Sequence, residues 1–235
     1  MTVLLNGQKY DYPNAPQILM IDSGNDRSGN ATLKTVSLVI SQSITQMEAI
    51  DIQKLTVAEF HQMEFGDDDT HLYELLDGEL VKKKAPAPRH QLILAELYDQ
   101  VKAFVRQQPQ PGKVLFAPVD VFLDDNTAPQ PDLVYLAPDT LNLITRDGVM
   151  GAPTLVVEVI SPSSIYRDRV TKKALYERFG VPEYWLVDPG DNFIEIYVLT
   201  DGQYKLLSAA SVEEGRLSSG VLPGLAPDLN ALFAE

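Results

Sequence analysis

The stretch Thr154-Leu155-Val156-Val157-Glu158-Val159-Ile160-Ser161 constrains the fold more than any other part of the chain. Its unbroken run of apolar and β-branched residues, closed by Ser161-Pro162, is the pattern of a strand covered on both faces. Glu158 sits in the middle of that run, where an unpaired carboxylate costs on the order of several kcal/mol. A charge kept in such a place calls for a partner, either a metal ion or a nearby cation. Asp132 leads the preceding apolar run, Pro131-Asp132-Leu133-Val134-Tyr135-Leu136, and Lys172 follows on the next helical segment.

The chain of 235 residues, 45% of them hydrophobic, is long enough to bury a sizeable core in one large domain with additions. No apolar segment reaches the ~18 residues of a membrane span. Met1 to Gly7 breaks off too early, and lacks the basic flank, for a secretory signal. The absence of cysteine excludes disulfides and thiolate metal sites, and with three histidines a zinc enzyme of the usual ligand types is disfavoured. The expectation is a cytoplasmic protein with no membrane segment. A formal net charge of −14 counts against a nucleic-acid partner, because neutralising phosphates drives that affinity. Two basic clusters stand against the trend: Lys82-Lys83-Lys84 with Arg89, and Arg167, Arg169, Lys172, Lys173 and Arg178. Either a solvated face or a clustered binding face accounts for them.

Residues 1–52 read as a β-rich extension, with Asn6-Gly7 a two-residue hairpin signal, a polar loop over 22–30 and a strand over 33–40. Residues 53–235 form the main domain. Thr56 with Glu59 is a capping box for a short helix over 57–63. The triple Asp67-Asp68-Asp69 lacks EF-hand spacing and reads as a loop. Tyr73 to Val81 reads as two strands about Asp77-Gly78. Ile93, Leu97, Val101 and Phe104 recur at helical spacing between His90 and Gln107. A strand over 114–123, interrupted near Pro118, precedes the Asp132–Ala137 strand. After Glu158's strand, Ser163 or Ser164 caps a helix through Phe179, stopped by Gly180. Glu183 to Asp188 is then a further strand, parallel to the first across a helical crossover. A hairpin about Asp201-Gly202 and a short helix over 229–233 close an α/β domain.

Alternation puts Val156, Glu158 and Ile160 on one face of their strand and Leu155, Val157 and Val159 on the other. If the Asp132 strand lies alongside, both carboxylates converge on one edge of the sheet. A hard cation such as Mg²⁺ is satisfied by two carboxylates, a carbonyl and water. It would lower the pKa of a bound water and stabilise charge on a phosphate, with a lysine beside that water. Together these are the parts of a metal-dependent phosphodiester hydrolase. The competing reading makes Glu158 and Lys172 an architectural salt bridge.

The ordered string Tyr73-Glu74-Leu75, Gly78-Glu79-Leu80, His90, Pro131-Asp132, Glu158-Val159-Ile160-Ser161-Pro162-Ser163, Asp168, Lys172, Tyr176 and Gly180 to Pro189 resembles the PD-(D/E)XK nuclease superfamily. More closely it resembles the Uma-type family of bacterial restriction-endonuclease-like proteins, over residues 54–232. That resemblance implies a restriction-endonuclease-like mixed sheet flanked by helices. It implies a Mg²⁺-dependent endonuclease acting on DNA, Mn²⁺ substituting, with Asp132, Glu158 and the Ile160 carbonyl on the metal. A dimer would follow where two sites are paired to cut two strands. The superfamily lysine falls at Ile160 here, so the resemblance assigns its role to Lys172, in preference to Lys173. Lys172 stands four residues after Asp168 and four before Tyr176, on one helical face. The alternative for Asp168 and Lys172 is an exposed i,i+4 pair, and a site without its lysine would leave a non-catalytic binding or assembly module. Glu74 matches a family acid and is equally a structural hydrogen-bond acceptor. His90 is either a proton-handling group or a residue packed at a helix start.

Overall fold

The computed structural model describes residues 2–5, 8–11, 54–65, 69 and 71–234. It divides into two compact units, residues 1–52 and 53–235. In the first, β1 (Thr2–Leu5) and β2 (Gln8–Asp11) pair antiparallel with Leu5 opposite Gln8. The loop and strand expected over 22–40 lie outside the described residues, as do Gly66, Asp67 and Asp68.

The second unit is built on a six-stranded mixed sheet. Its members are β5 (Lys113–Phe116), β7 (Leu133–Leu136), β9 (Leu155–Val159), β10 (Glu183–Asp188), β11 (Phe193–Thr200) and β12 (Gln203–Ser211), in the spatial order β12-β11-β10-β9-β7-β5. Only β9 and β10 run parallel, because a helical crossover joins them; the other neighbours are antiparallel. Every residue of β7 and β9 is buried, as an uninterrupted apolar run at the centre of a covered sheet requires.

Strand alternation divides the core in two. Leu133, Leu155, Val157 and Trp185 pack beneath α2 (Pro88–Arg106), which follows α1 (Val57–His61) in the chain, through Ile93, Leu97, Val101 and Val105. Val134, Val156, Ile160, Tyr184 and Leu186 pack on the opposite face with Leu175 and Tyr176 of α3 (Lys173–Arg178). Each such apolar side chain contributes about 1.5–3 kcal/mol on burial. Tyr184 and Trp185 are wholly buried and therefore belong to the core. Thr56 and Glu59 form a reciprocal capping box at the start of α1.

A separate hairpin, β3 (Leu72–Leu76) and β4 (Glu79–Lys83), turns at Asp77-Gly78, both at positive φ. Glycine fits there also because a Cβ would lie 2.4 Å from the Lys54 side chain. The strand expected over 114–123 is broken into β5 and β6 (Val121–Phe122), with Pro118 in the gap because it cannot donate to a ladder. β6 pairs with β8 (Val149–Met150), and α4 (Leu229–Leu232) ends the domain.

The helix expected from residue 163 or 164 to 179 is not uniformly α-helical. A π-helical segment, Arg167–Lys172, precedes α3. Widened turns of this kind are frequent at functional sites, and this one carries Asp168 and Lys172, both buried. Their burial overturns the exposed-pair reading of those two residues.

Candidate active site

Antiparallel pairing sets Leu133 opposite Val157, so Asp132, just before β7, comes level with Glu158 on the same face of the sheet. Asp132 Oδ2 accepts the Val159 N–H at 2.7 Å and lies 3.2 Å from His90 Nε2 on the first turn of α2. Glu158 Oε1 accepts from Lys172 Nζ at 2.9 Å and from the Tyr176 hydroxyl at 2.7 Å. No hydrogen bond from another described residue reaches Asp132 Oδ1 or Glu158 Oε2. Neither oxygen is among the sealed polar atoms left without a partner, so each meets solvent. Both carboxylates line a common cleft of about 450 Å³ together with His90, Asp168 and Lys172.

Glu74 enters from the β3–β4 hairpin and is fully buried. Its Oε2 lies 2.9 Å from Lys172 Nζ and 4.0 Å from Lys83 Nζ, and accepts the Gln130 N–H at 3.2 Å. Its Oε1 forms an ion pair with Arg167 Nε at 3.5 Å, too long for a hydrogen bond, and both atoms are buried without one. Lys172 is thus clasped between two carboxyl groups. Lys173, its neighbour, turns away and lies 3.4 Å over the Tyr197 ring. The remaining basic residues disperse: Arg169 pairs with Asp188 and Glu195, Arg178 with Asp77, while Lys83, Lys84 and Arg167 line the cleft.

Burial pushes Glu158 up to about 8 despite Lys172, and the charges of Asp132 and Asp168 add to the rise. Burial also works against charge on Glu74, but Lys172 and Lys83 outweigh it and hold that carboxyl below its ordinary value. For Asp132 burial is outweighed by the bond from His90, and the pKa falls. The same contact carries His90 upward against its own burial. Burial disfavours the Lys172 ammonium, yet Glu158 and Glu74 together hold its pKa above normal. Burial raises Asp168 as well.

The backbone discriminates between two carbonyls. In an extended strand a residue's N–H and C=O leave toward the same neighbour. The Val159 carbonyl is therefore on the Asp132 and His90 side of β9. Ile160 instead donates its N–H to the Val187 carbonyl at 2.8 Å, on the β10 side, and its side chain enters the core.

The site thus gathers Asp132, Glu158, Lys172, Glu74 and His90, all named from sequence. It adds Tyr176 as a direct partner of Glu158, and Lys83, Gln130 and Arg167 as partners of Glu74. Lys83 was recoverable in principle: a two-residue turn at Asp77-Gly78 fixes Lys83 opposite Leu72, on the same hairpin face as Glu74. Gln130 carried no such signal, since its contact with Glu74 spans 56 residues.

A mixed sheet flanked by helices, with two acids at the border of adjacent central strands and a lysine on the crossover helix, defines a nuclease-like α/β fold. The Uma2 family model, described as "Putative restriction endonuclease", matches residues 57–231, and the chain belongs to that family. Among solved structures it is similar to one described as a putative nuclease belonging to DUF820, from Anabaena variabilis ATCC 29413. The TM-score is 0.62 at 15% identity, over 77% of this chain and 98% of that one, a likeness of fold. No curated protein matches the chain. No helix among the described residues is long and apolar enough to cross a membrane.

Proposed function

We propose that this protein is a divalent-cation-dependent endonuclease that hydrolyses phosphodiester bonds in DNA. What carries the reading is the pairing of Asp132 with Glu158: one oxygen of each is committed to the protein and the other meets the solvent of one cleft. The donor set suits a hard cation, Mg²⁺ with Mn²⁺ substituting, because it is all oxygen and because Glu158 is destabilised as an anion by burial and, after that, by its acidic neighbours. No cluster of three or more acid, histidine or cysteine ligands exists among the described residues, so a backbone carbonyl and water would complete the shell. We assign that carbonyl to Val159 in place of Ile160, because it leaves β9 on the Asp132 side. When bound, such an ion supplies a water of lowered pKa and offsets charge on the phosphate.

The chain's own groups do the positioning. His90 and the Val159 N–H fix the Asp132 carboxylate, and Tyr176 and Lys172 fix that of Glu158. Lys172 keeps its proton and presents a fixed positive charge beside the open oxygens, able to orient a water or stabilise developing negative charge. Glu74 also holds the ammonium in place, its Oε2 2.9 Å from Lys172 Nζ.

A second reading rests on that same clasp. An ammonium bonded to two carboxyls is also what a purely structural ion pair looks like, and the protein would then be a non-catalytic binding or assembly module. Titration calorimetry with Mg²⁺ and Mn²⁺ separates the two. The nuclease reading expects heat with the wild type and none with Asp132→Asn, and cleavage of duplex, nicked, branched or single-stranded DNA that is lost in the same variant. Equal, negligible heat in both proteins favours the module.

A further inference from the structure

We infer that the cleft takes an unpaired DNA strand rather than an intact duplex, a step that rests on the nuclease reading above. The acids that would act on the phosphate are recessed: Asp132 is 8% and Glu158 3% exposed, at a cleft of about 450 Å³. That is the size of a pocket for one small ligand. A duplex is stiff and carries its phosphates on the outside of a rod, so reaching recessed groups requires it to be bent or opened. A single strand can descend into the cleft without that cost.

Two further observations point the same way. Apart from Lys172, which Glu74 and Glu158 clasp, the cleft is lined by three lysine or arginine side chains, Lys83, Lys84 and Arg167, in a chain of net charge −14. That matches a few phosphates of one strand rather than the two backbones of a duplex. The two most exposed aromatic rings among the described residues also stand next to cleft residues in the chain. Tyr166, 73% exposed, precedes Arg167; Phe116, 52% exposed, precedes Ala117 and Pro118. The Tyr166 side chain has no hydrogen bond or ring contact with another described residue, while Phe116 is braced edge-on by Tyr98 at 4.7 Å. Exposed rings one residue along the chain from the lining of a cationic groove are suited to serve as stacking platforms for unpaired bases.

The test is fluorescence anisotropy with one DNA sequence in three forms, single-stranded, blunt duplex and duplex with a single-stranded tail, in Ca²⁺ to separate binding from cleavage. Single-stranded and tailed DNA should bind about tenfold or more tighter than the blunt duplex. Tyr166→Ala and Phe116→Ala should each weaken the unpaired forms by about five- to tenfold and leave the duplex unchanged. The dependence of affinity on salt should be shallow, a slope of about −2 for three phosphates of a single strand. Thermal melts of both variants confirm folding, which truncation of exposed rings leaves intact. Equal or tighter binding of the blunt duplex, or folded variants that bind unpaired DNA like the wild type, would overturn the inference. In that case duplex cleavage in Mn²⁺ that is lost in Asp132→Asn would leave the nuclease reading standing. Failure to bind or cut any form would overturn both.

Discussion

Lys172 Nζ lies 2.9 Å from Glu158 Oε1, a contact between a crossover helix and a central strand with only 1% and 3% of the two side chains exposed. The same ammonium is 2.9 Å from Glu74 Oε2. One cation between two carboxyls is balanced when only one of them is ionised, and the environment selects which. Glu74, beside Lys83 as well, is held ionised; Glu158, desolvated by burial and flanked by Asp132 and Asp168, is pushed up to about 8. The trio therefore carries little net charge near neutral pH, which is what makes its burial tolerable.

Removing the ammonium breaks this balance. Lys172→Met should cost about 3–5 kcal/mol of stability, and more at alkaline than at acid pH, where Glu74 and Glu158 can both take up protons. Lys173→Met removes a contact with the Tyr197 face and should cost about 1 kcal/mol at most. Urea denaturation of the two variants at acid and alkaline pH checks both magnitudes and their order.

The raised pKa of Glu158 fixes the sign of a pH effect. Between the ordinary glutamate value and about 8 the folded protein binds this proton more tightly than the unfolded chain does. Its contribution is therefore favourable at the acid end and lost as pH rises through that window. The slope should be at most about 1.4 kcal/mol per pH unit in the cation-free protein, and Glu158→Gln should flatten it. His90, also raised by its partner, acts in the same direction, present below its unfolded value and lost as pH rises through the folded one. A set of chemical denaturation curves in chelator, across that window, is the measurement.

If Glu158 and Asp132 hold a cation, binding at neutral pH must displace the Glu158 proton. Calorimetric heats of Mn²⁺ binding should then differ between buffers of different ionisation enthalpy, by up to one proton per ion. Buffer-independent heats would mean that the ion sits elsewhere. Tyr176→Phe should raise the Glu158 pKa further, since the hydroxyl favours the anion, and so weaken the cation at neutral pH while costing about 1–2 kcal/mol of stability.

Glu183 at the start of β10 has a different task. Its buried carboxylate accepts from Trp185 Nε1 at 2.6 Å, Ser219 Oγ at 2.7 Å, and the backbone N–H groups of Gly220 and Val221 at 2.6 and 3.2 Å. It thereby ties the segment after β12 to the sheet. Glu183→Ala strands these donors and should lower stability by about 2–4 kcal/mol. Hydrogen exchange at residues 219–222 should accelerate while exchange in β9 follows only the global loss.

Within the described residues, the sequence by itself determined the elements and their faces. The uninterrupted apolar run at 154–160, the alternation that separates Glu158 from Val157, the capping box at Thr56 and the Asp-Gly turns are local, and local sterics and periodicity decide them. The ordered motif also named Asp132, Glu158, Lys172, Glu74 and His90, because each stands at a fixed position relative to an apolar strand or helix. Only the tertiary structure decided what these residues touch. Lys172 reaches the site from a π-helical segment, Arg167–Lys172, whose widened turn the four-residue spacing of Asp168, Lys172 and Tyr176 does not reveal. The clasp on Lys172 by Glu74, the seat of Asp132 on the Val159 N–H, and the turn of Ile160 toward β10 depend on pairings between segments distant in the chain. Their energies arise from burial and approach in space, quantities that a residue's neighbours in sequence do not carry.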